Sequence, residues 1–319
     1  MTAKKLPSFI LRYFTSPFRK GRFVPVEKPR LSLEVTNLCN ADCVFCANSV
    51  MRRKKQPLNF QLFKKAVDEL VTLGGDQLDF NVTIGDPLLD KNLLEKARYV
   101  KRFPQFKSLG FVTTIQWLHL HDIDEFFKAG LTWLSISAVL SGRERYEEFF
   151  CVDMYDQFMA NLLKLIEENK RRGNPICLLL SIKPTNEPPE NILSHPDFKK
   201  INALVSQELT EQVKNQSYFV DDWIGAVKLP GYLKKRPLYP RMFRPCGMLY
   251  GGLTVFSNGN VGACSCRDFE ANSELILGNV KTHSLDELWN GEKLANIRSH
   301  WLKKNKVPEI CTSCSHYLY

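Results

Sequence analysis

The chain has 319 residues, a length that allows one large domain or two ordinary ones. Hydrophobic residues make up 44% and charged residues 24%, the balance of a globular protein with a full core. No apolar run approaches the roughly 18 residues of a membrane span. The first residues contain no long apolar run and no small-residue cleavage site, so we do not expect a secretory signal. We therefore predict a cytoplasmic protein whose ten cysteines serve metal or redox chemistry rather than disulfides.

The positive charge is concentrated at the N-terminus. Residues 1–30 hold eight basic residues and one acid, so they account for +7 of the net charge of +10. The rest of the chain is nearly neutral, which argues against a nucleic-acid partner. Residues 6–14 have the apolar spacing of a short amphipathic helix that stops at Pro17. We expect this segment to pack on the fold; the alternative is a weak contact with a membrane surface or an anionic partner.

Residues 31–235 alternate between β-rich runs and helical segments. The predicted strands are 31–36, 78–85, 108–114, 131–139, 176–184 and a weaker sixth at 216–220. The predicted helices are 59–75, 88–103, 123–130, 153–172 and 197–205. Such a series predicts an α/β fold with a parallel sheet, open or closed as a barrel, and chemistry at the carboxyl ends of the strands.

The character of the chain changes after a Pro- and Lys-rich stretch at 229–240, which we interpret as a linker. Residues 257–260 (SNGN) predict a hairpin turn. We therefore divide the chain into an N-terminal basic segment (1–30), a barrel (31–235) and a small Cys-rich domain (236–319).

Three cysteines, Cys39, Cys43 and Cys46, follow the first predicted strand in a C-x3-C-x2-C spacing. One compact loop of this kind holds three thiolates on a four-iron cluster and leaves one iron open for a substrate. A structural zinc site needs a fourth ligand, and His119 and His121 lie far along the chain. A zinc knuckle or a chance grouping of cysteines remains the alternative.

This spacing, with the aromatic Phe45 before the last cysteine, resembles the radical S-adenosylmethionine (radical SAM) superfamily. The resemblance implies a [4Fe–4S] cluster whose open iron binds S-adenosylmethionine (SAM), and SAM cleavage to a 5′-deoxyadenosyl radical that abstracts a hydrogen atom. It also implies a partial (βα)6 TIM-like barrel, in agreement with the five or six predicted units. Phe45 would lie beside the adenine.

Two further motifs support the resemblance. Residues 84–87 (IGDP) are similar to the family's Gly-Gly-Glu-Pro turn and imply SAM-binding roles for Gly85 and Asp86, although isoleucine and aspartate depart from that motif. Residues 134–137 resemble the family's ribose-contacting strand. The resemblance implies that Ser135 and Ser137, which share one face of the strand, contact the ribose of SAM. A plain strand-end turn and merely structural serines are the alternatives.

The C-terminal region resembles the auxiliary-cluster domain called twitch, a shortened SPASM domain. The resemblance implies one auxiliary [4Fe–4S] cluster, because few residues follow the last cysteine pair, and the ligands would be Cys246, Cys264, Cys311 and Cys314. The alternative is a four-cysteine zinc ribbon.

Three cysteines remain. We predict that Cys151 and Cys177 are packed as small apolar residues. Cys266, two residues from a predicted ligand, and Asp268 are candidate catalytic residues, as hydrogen-atom donor or proton relay. The alternative for Cys266 is an unused or alternate cluster ligand.

The resemblance leaves the substrate open. Relatives with a shortened auxiliary region oxidise aminocyclitol alcohols, oxidise protein side chains or epimerise sugars and peptides. About 30 residues precede the first strand, too few for a leader-binding domain, so we predict oxidation or epimerisation of a small polar substrate (a sugar, aminocyclitol or nucleotide), with flavodoxin or ferredoxin as reductant. The alternatives are a peptide- or protein-modifying maturase, a zinc-stapled nucleic-acid-binding protein and a non-catalytic cluster carrier.

Overall fold

The computed structural model describes residues 24–81, 83–205, 208–214, 219–235, 246–264, 267–303 and 307–314. The predicted N-terminal helix, the catalytic candidate Cys266 and the second half of the predicted linker lie outside these described residues.

The described elements alternate along the barrel region as the sequence predicts. The strands are β1 Arg30–Leu33, β2 Leu78–Asp79, β3 Gly110–Thr113, β4 Trp133–Ala138, β5 Cys177–Ile182, β6 Phe219–Val220, β7 Lys234–Lys235, β8 Gly252–Val255, β9 Asn260–Gly262 and β10 Ile276–Asn279. The helices are α1 Phe60–Thr72, α2 Leu93–Lys101, α3 Ile123–Lys128, α4 Arg143–Phe150, α5 Tyr155–Arg171, α6 Pro189–Ser194, α7 Pro196–Asn202, α8 Leu209–Lys214, α9 Gly247–Gly251, α10 Leu285–Asn290, α11 Glu292–Lys303 and α12 Glu309–Thr312.

The barrel wall consists of parallel strands. β1 pairs with β2, and β3, β4 and β5 form a second parallel group in that order. The main-chain N–H of Phe80 donates to the carbonyl of Gly110 at 3.0 Å and so links the two groups just after β2. Apolar residues of these strands and of the covering helices form one buried core. The predicted α/β partial barrel is confirmed.

Several predicted boundaries were wrong. The strand predicted for 78–85 ends at Asp79, because the Asp79 carboxylate accepts the N–H of Asn81 and turns the chain. The helix predicted from residue 88 begins at Leu93, after a short 3-10 turn over Pro87–Leu89. Helices α4, α6 and α8 were not predicted.

The Cys-rich region continues the barrel sheet. β8 lies parallel to β1, with Arg30 opposite Gly252 and Leu33 opposite Val255. A side chain at Gly252 would meet the carbonyl oxygen of Arg30 at 2.3 Å, so this close pairing requires glycine. β8 and β9 form the predicted hairpin, and β10 follows antiparallel. The hairpin therefore extends the sheet beside β1.

A buried ion pair fixes the segment between β1 and α1. The Lys96 ammonium lies 2.6 Å from the Asp90 carboxylate and donates to the carbonyls of Val35 and Leu58. These two carbonyls precede and follow the cysteine loop, so a single lysine on α2 holds both ends of it.

In the described part of the chain, no helix is long and apolar enough to cross a membrane.

Candidate active site

The three cysteines of the first motif share one loop at the carboxyl end of β1. Cys43 is buried, and Cys39 and Cys46 are half-buried. The N–H of Cys46 donates to the carbonyl of Cys43 at 2.9 Å, which closes a turn between them. The structure brings the three thiols together: burial raises the pKa of Cys43 most, and the nearby Cys46 and Cys39 raise it further.

The cysteine loop is anchored by its main chain. The N–H of Val44 donates to the carbonyl of Phe149 at the end of α4, and the Trp223 indole donates to the carbonyl of Phe45 at 2.8 Å. The ring of Phe45 packs against that of Phe149, with centroids 5.3 Å apart. Phe45 therefore has a packing role here, and its contact with adenine stays a prediction.

Burial keeps the three thiols protonated in the absence of a metal. It raises the pKa of Cys39 to about 12 and that of Cys46 to about 11, and it raises the pKa of Cys43 well above the usual range. A metal ligand must be a thiolate, and bound iron supplies the positive charge that stabilises it. Lys55 also lowers the pKa of Cys39 and Cys46, so the loop suits an iron–sulfur cluster in both donor type and charge.

The turn after β2 packs directly on the start of the cysteine loop. Gly85 has a φ of +132°, and a Cβ at this position would meet the carbonyl oxygen of Thr36 at 2.6 Å and the Cα of Asn37 at 2.9 Å. The following N–H, that of Asp86, donates to the carbonyl of Leu38 at 2.8 Å. The resemblance implies a SAM-binding role for Gly85, which stays a prediction; in the structure its backbone closely approaches the cysteine loop itself.

We expect Gly85→Ala to destabilise the protein by about 3 kcal/mol, since it adds a backbone clash to an unfavourable φ. Gly173→Ala is the control, because Gly173 also has a positive φ but has nothing within 4 Å of an added Cβ, and it should cost about 1 kcal/mol. Chemical unfolding of the metal-free proteins measures both. Equal losses would show that the contact with Thr36 is unimportant.

Asp86 is buried and joins the ends of β2 and β3. Its carboxylate accepts hydrogen bonds from the N–H of Leu88, the hydroxyl of Thr113, and both the N–H and the hydroxyl of Thr114. Burial raises its pKa, and these donors oppose that effect. The carboxylate is thus engaged by the protein, and its predicted contact with SAM stays a prediction.

The two serines of β4 lie on the open face of β3–β5. Leu134 and Ile136 are buried in the core, whereas Ser135 is half-buried between the exposed side chains of Val112 (42%) and Leu179 (45%), its partners in register. One level further toward the carboxyl ends, Ser137 stands opposite Ser181 of β5. Ser135 and Ser137 share one face, as predicted.

Lys183 extends this face and was not among the predicted site residues. Its ammonium donates to the hydroxyl of Ser181 at 2.9 Å, and its charge acts on Cys43 of the cysteine loop. Burial lowers its pKa to about 8. Within the described part of the chain, no carboxylate lies within ion-pair distance of it. Lys183 is two residues from Ser181, a spacing that places both side chains on one face of a strand and could have been recognised in the sequence. The strand register that sets Ser181 beside Ser137 could not.

The second group of cysteines lies around the end of the sheet. Cys246 precedes α9, Cys264 follows β9, and Cys311 and Cys314 share one turn closed by an N–H to carbonyl bond of 3.4 Å. Burial raises the pKa of Cys246, and Cys314 raises it further, so these two lie close together. The participation of Cys264 in the same set stays a prediction.

Two cysteines differ from what their sequence positions suggested. Cys151 and Cys177 are exposed, so their predicted packing was wrong: Cys151 ends α4 in a left-handed conformation, and Cys177 lies on the open face of β5. Asp268 is buried, and its carboxylate accepts from the N–H groups of Asn272 and Ser273 and from the Ser273 hydroxyl. These bonds fix a local turn, and its proton-relay role stays a prediction.

Neither set of cysteines is arranged around a single ion. Among the described residues, no three Cys, His, Asp or Glu side chains surround one point as the ligands of one zinc do. The thiolates of a [4Fe–4S] cluster bind different irons and need no common point. Cys43 is buried, and the other six cysteines of the two sets are half-buried. Their assignment as the three ligands of an open cluster and the four ligands of a closed one stays a prediction.

Comparison with known proteins decides the family. The sequence profile of the radical SAM superfamily matches residues 33–194, just over half of the chain. The chain belongs to the radical SAM superfamily. Residues 246–315 match the iron–sulfur cluster-binding domain SPASM. This radical SAM enzyme therefore uses a [4Fe–4S] cluster and SAM, needs a reductant, and has an auxiliary iron–sulfur cluster.

Individual relatives are distant. An uncharacterized protein of Methanocaldococcus jannaschii is 40% identical over 67 residues, which are 21% of this chain and 22% of that protein. BtrN in complex with AdoMet and 2-DOIA has a TM-score of 0.56 at 15% identity and covers 87% of this chain and 88% of its own. SuiB of Streptococcus suis bound to precursor peptide SuiA has a TM-score of 0.59 at 15% identity. The match covers 86% of this chain and 68% of the SuiB chain. These structures establish the fold.

Proposed function

We propose that this radical SAM enzyme oxidises or epimerises a small polar substrate such as a sugar, aminocyclitol or nucleotide. Cys39, Cys43 and Cys46 would hold the catalytic cluster, and Cys246, Cys264, Cys311 and Cys314 one auxiliary [4Fe–4S] cluster. When bound, the catalytic cluster and SAM supply a 5′-deoxyadenosyl radical that abstracts a hydrogen atom from the substrate. Electrons would come from a flavodoxin or ferredoxin.

The observation that supports a polar substrate is the open face at the carboxyl ends of β4 and β5. Ser181 and Lys183 offer one hydroxyl and one cation there, next to the cysteine loop and beside Ser137, the predicted contact of the SAM ribose. These groups suit the hydroxyls of a sugar-like molecule, and Lys183 suits a carboxylate or phosphate. On the same face, the apolar side chains of Val112 and Leu179 lie two residues closer to the amino ends of the strands.

The two solved neighbours differ in what they bind, 2-DOIA in BtrN and a precursor peptide in SuiB, and the shared fold does not choose between them. The choice is tested by measuring 5′-deoxyadenosine formation with a panel of sugars, aminocyclitols and nucleotides and a panel of peptides. Stimulation by a small polar compound alone supports the proposal. Stimulation by peptides alone favours the maturase alternative.

We predict that Lys183→Met raises the concentration of an acidic substrate needed for half-maximal turnover about tenfold or more, because it removes a charged hydrogen-bond donor. Neutral substrates should change little. Lys183 is charged below its pKa of about 8 and neutral above it, so wild-type affinity for an acidic group should fall between pH 7 and pH 9. Lys183→Arg should not show this fall. Unchanged affinity in Lys183→Met at pH 7 would remove Lys183 from the substrate site.

We predict that Cys266→Ser keeps the full iron content and still forms 5′-deoxyadenosine, because four other cysteines complete the auxiliary cluster. If the reaction is an epimerisation, product should decrease and solvent deuterium should no longer enter the product carbon, since the thiol hydrogen is missing. Cys151→Ser, at an exposed cysteine, is the control. Loss of iron in Cys266→Ser alone would identify Cys266 as a ligand and would make Cys264 the spare thiol.

A further inference from the structure

Arg53 lies in the segment that follows the cysteine loop and is almost completely buried. Its guanidinium binds both carboxylate oxygens of Glu34, each at 2.6 Å. Glu34 follows β1 directly and is fully buried. A bidentate pair of this kind fixes orientation as well as distance. The start of the cysteine loop and the segment behind it are thus held together by one side chain.

The same arginine also binds the auxiliary-cluster region. Its Nε donates to the carbonyl of Phe269 at 2.6 Å, and its guanidinium carbon lies 5.4 Å from the centre of the Phe256 ring. In the opposite direction, the carboxylate of Glu270 accepts the main-chain N–H groups of Arg52 at 2.7 Å and Arg53 at 2.9 Å. We call Glu34, Arg53, Phe269 and Glu270 the Arg53 clamp.

A separate apolar cluster covers the clamp on the side of the catalytic cysteines. Ala47, Met51 and Ile84 form its buried centre, and Cys46 and Phe269 pack against them. The clamp therefore lies where apolar groups from both cluster-bearing regions meet. Charges held in such surroundings interact more strongly than charges in water, and loss of one partner leaves the other unsatisfied.

We propose that Arg53 is a positioning residue that fixes the auxiliary-cluster region against the catalytic cysteine loop and so sets the geometry between the two clusters. The proposal rests on the ligand sets given above. Cys46 precedes Arg53 by only seven residues, and Cys264 precedes Phe269 by five. With such short connections, a change at the clamp reaches both sets of ligands.

The metal-free protein provides the first test, because the clamp consists entirely of protein groups. In Arg53→Met, hydrogen exchange should become at least about tenfold faster both at residues 51–53 and at residues 267–273, since the two segments lose a shared anchor. Glu270→Gln is a milder variant that should affect the same two segments. Arg172→Met is the control: Arg172 also forms ion pairs, with Glu168 and Asp124, and also lies over a ring, that of Phe127. It should leave both segments unchanged.

The iron-loaded protein provides the second test. Arg53→Met and Arg53→Lys should keep iron in both sites, but the magnetic interaction between the two reduced clusters should change. Methionine removes the anchor, and lysine keeps its charge without the forked geometry. Exchange confined to one segment, or an unchanged magnetic interaction, would overturn the proposal. If Arg53→Met does not fold, hydrogen exchange and the magnetic interaction are measured on Glu270→Gln, and the same outcomes support or overturn the proposal. Neither readout depends on the identity of the substrate.

Discussion

Replacing Cys39, Cys43 and Cys46 together by alanine is expected to abolish reductive cleavage of SAM and to leave about four irons per chain. The three thiols lie on one anchored loop, and their burial leaves them protonated unless a metal binds. Removing them deletes the whole proposed donor set of the catalytic site. The remaining irons would belong to the auxiliary cluster.

The matched control for this variant is the double replacement of Cys151 and Cys177, the two exposed cysteines outside both ligand sets. It removes thiols from the barrel but should keep all the iron and full SAM cleavage. Iron content and 5′-deoxyadenosine formation are measured for the triple variant and for this double variant. Continued 5′-deoxyadenosine formation by the triple variant would place the catalytic cluster elsewhere.

Replacing Cys246, Cys264, Cys311 and Cys314 by alanine should remove the auxiliary iron and leave about four irons in the catalytic site. We also expect a clear loss of thermal stability relative to the iron-loaded wild type, because metal binding and folding are coupled in small loop-rich regions. One contact that holds the C-terminal turn without a metal is the bond of 3.1 Å from the N–H of Glu309 to the Glu274 carboxylate.

The zinc-ribbon alternative is tested on the triple-alanine variant of the catalytic loop, which isolates the second set of cysteines. After anaerobic reconstitution with iron and sulfide, this variant should contain iron and show the absorption of an iron–sulfur cluster. One zinc per chain and no iron would establish a ribbon instead.

The parts of the fold that depend on local pattern were predictable. Alternating strands and helices, and the position of Cys39, Cys43 and Cys46 after the first strand, follow from residue spacing along short segments. The parallel pairing of β1 with β8 was not predictable, because it joins residues such as Arg30 and Gly252 that are far apart in the chain. For the same reason the Arg53 clamp was missed.

Within the site, residue types were easier to predict than their partners. Gly85 and Asp86 were selected by resemblance, but their contacts with Thr36 and with Thr113 come from three different strand ends. Cys177 shows the opposite error: an apolar strand suggested burial, whereas the open face of a partial barrel exposes alternate residues. The same open face contains Lys183, whose importance depends on the register between β4 and β5.

Transfer of deuterium from a labelled substrate into 5′-deoxyadenosine tests the proposed reaction most directly, because only the abstracted hydrogen appears in that product. The enzyme would be incubated with SAM, reductant and carbon-deuterated sugars, aminocyclitols or nucleotides, with deuterated peptides in parallel. We predict a one-unit mass increase of 5′-deoxyadenosine with at least one small polar compound, and a loss of that signal in the Cys39/Cys43/Cys46 triple variant. Deuterium transfer from peptides only would contradict the proposed substrate class.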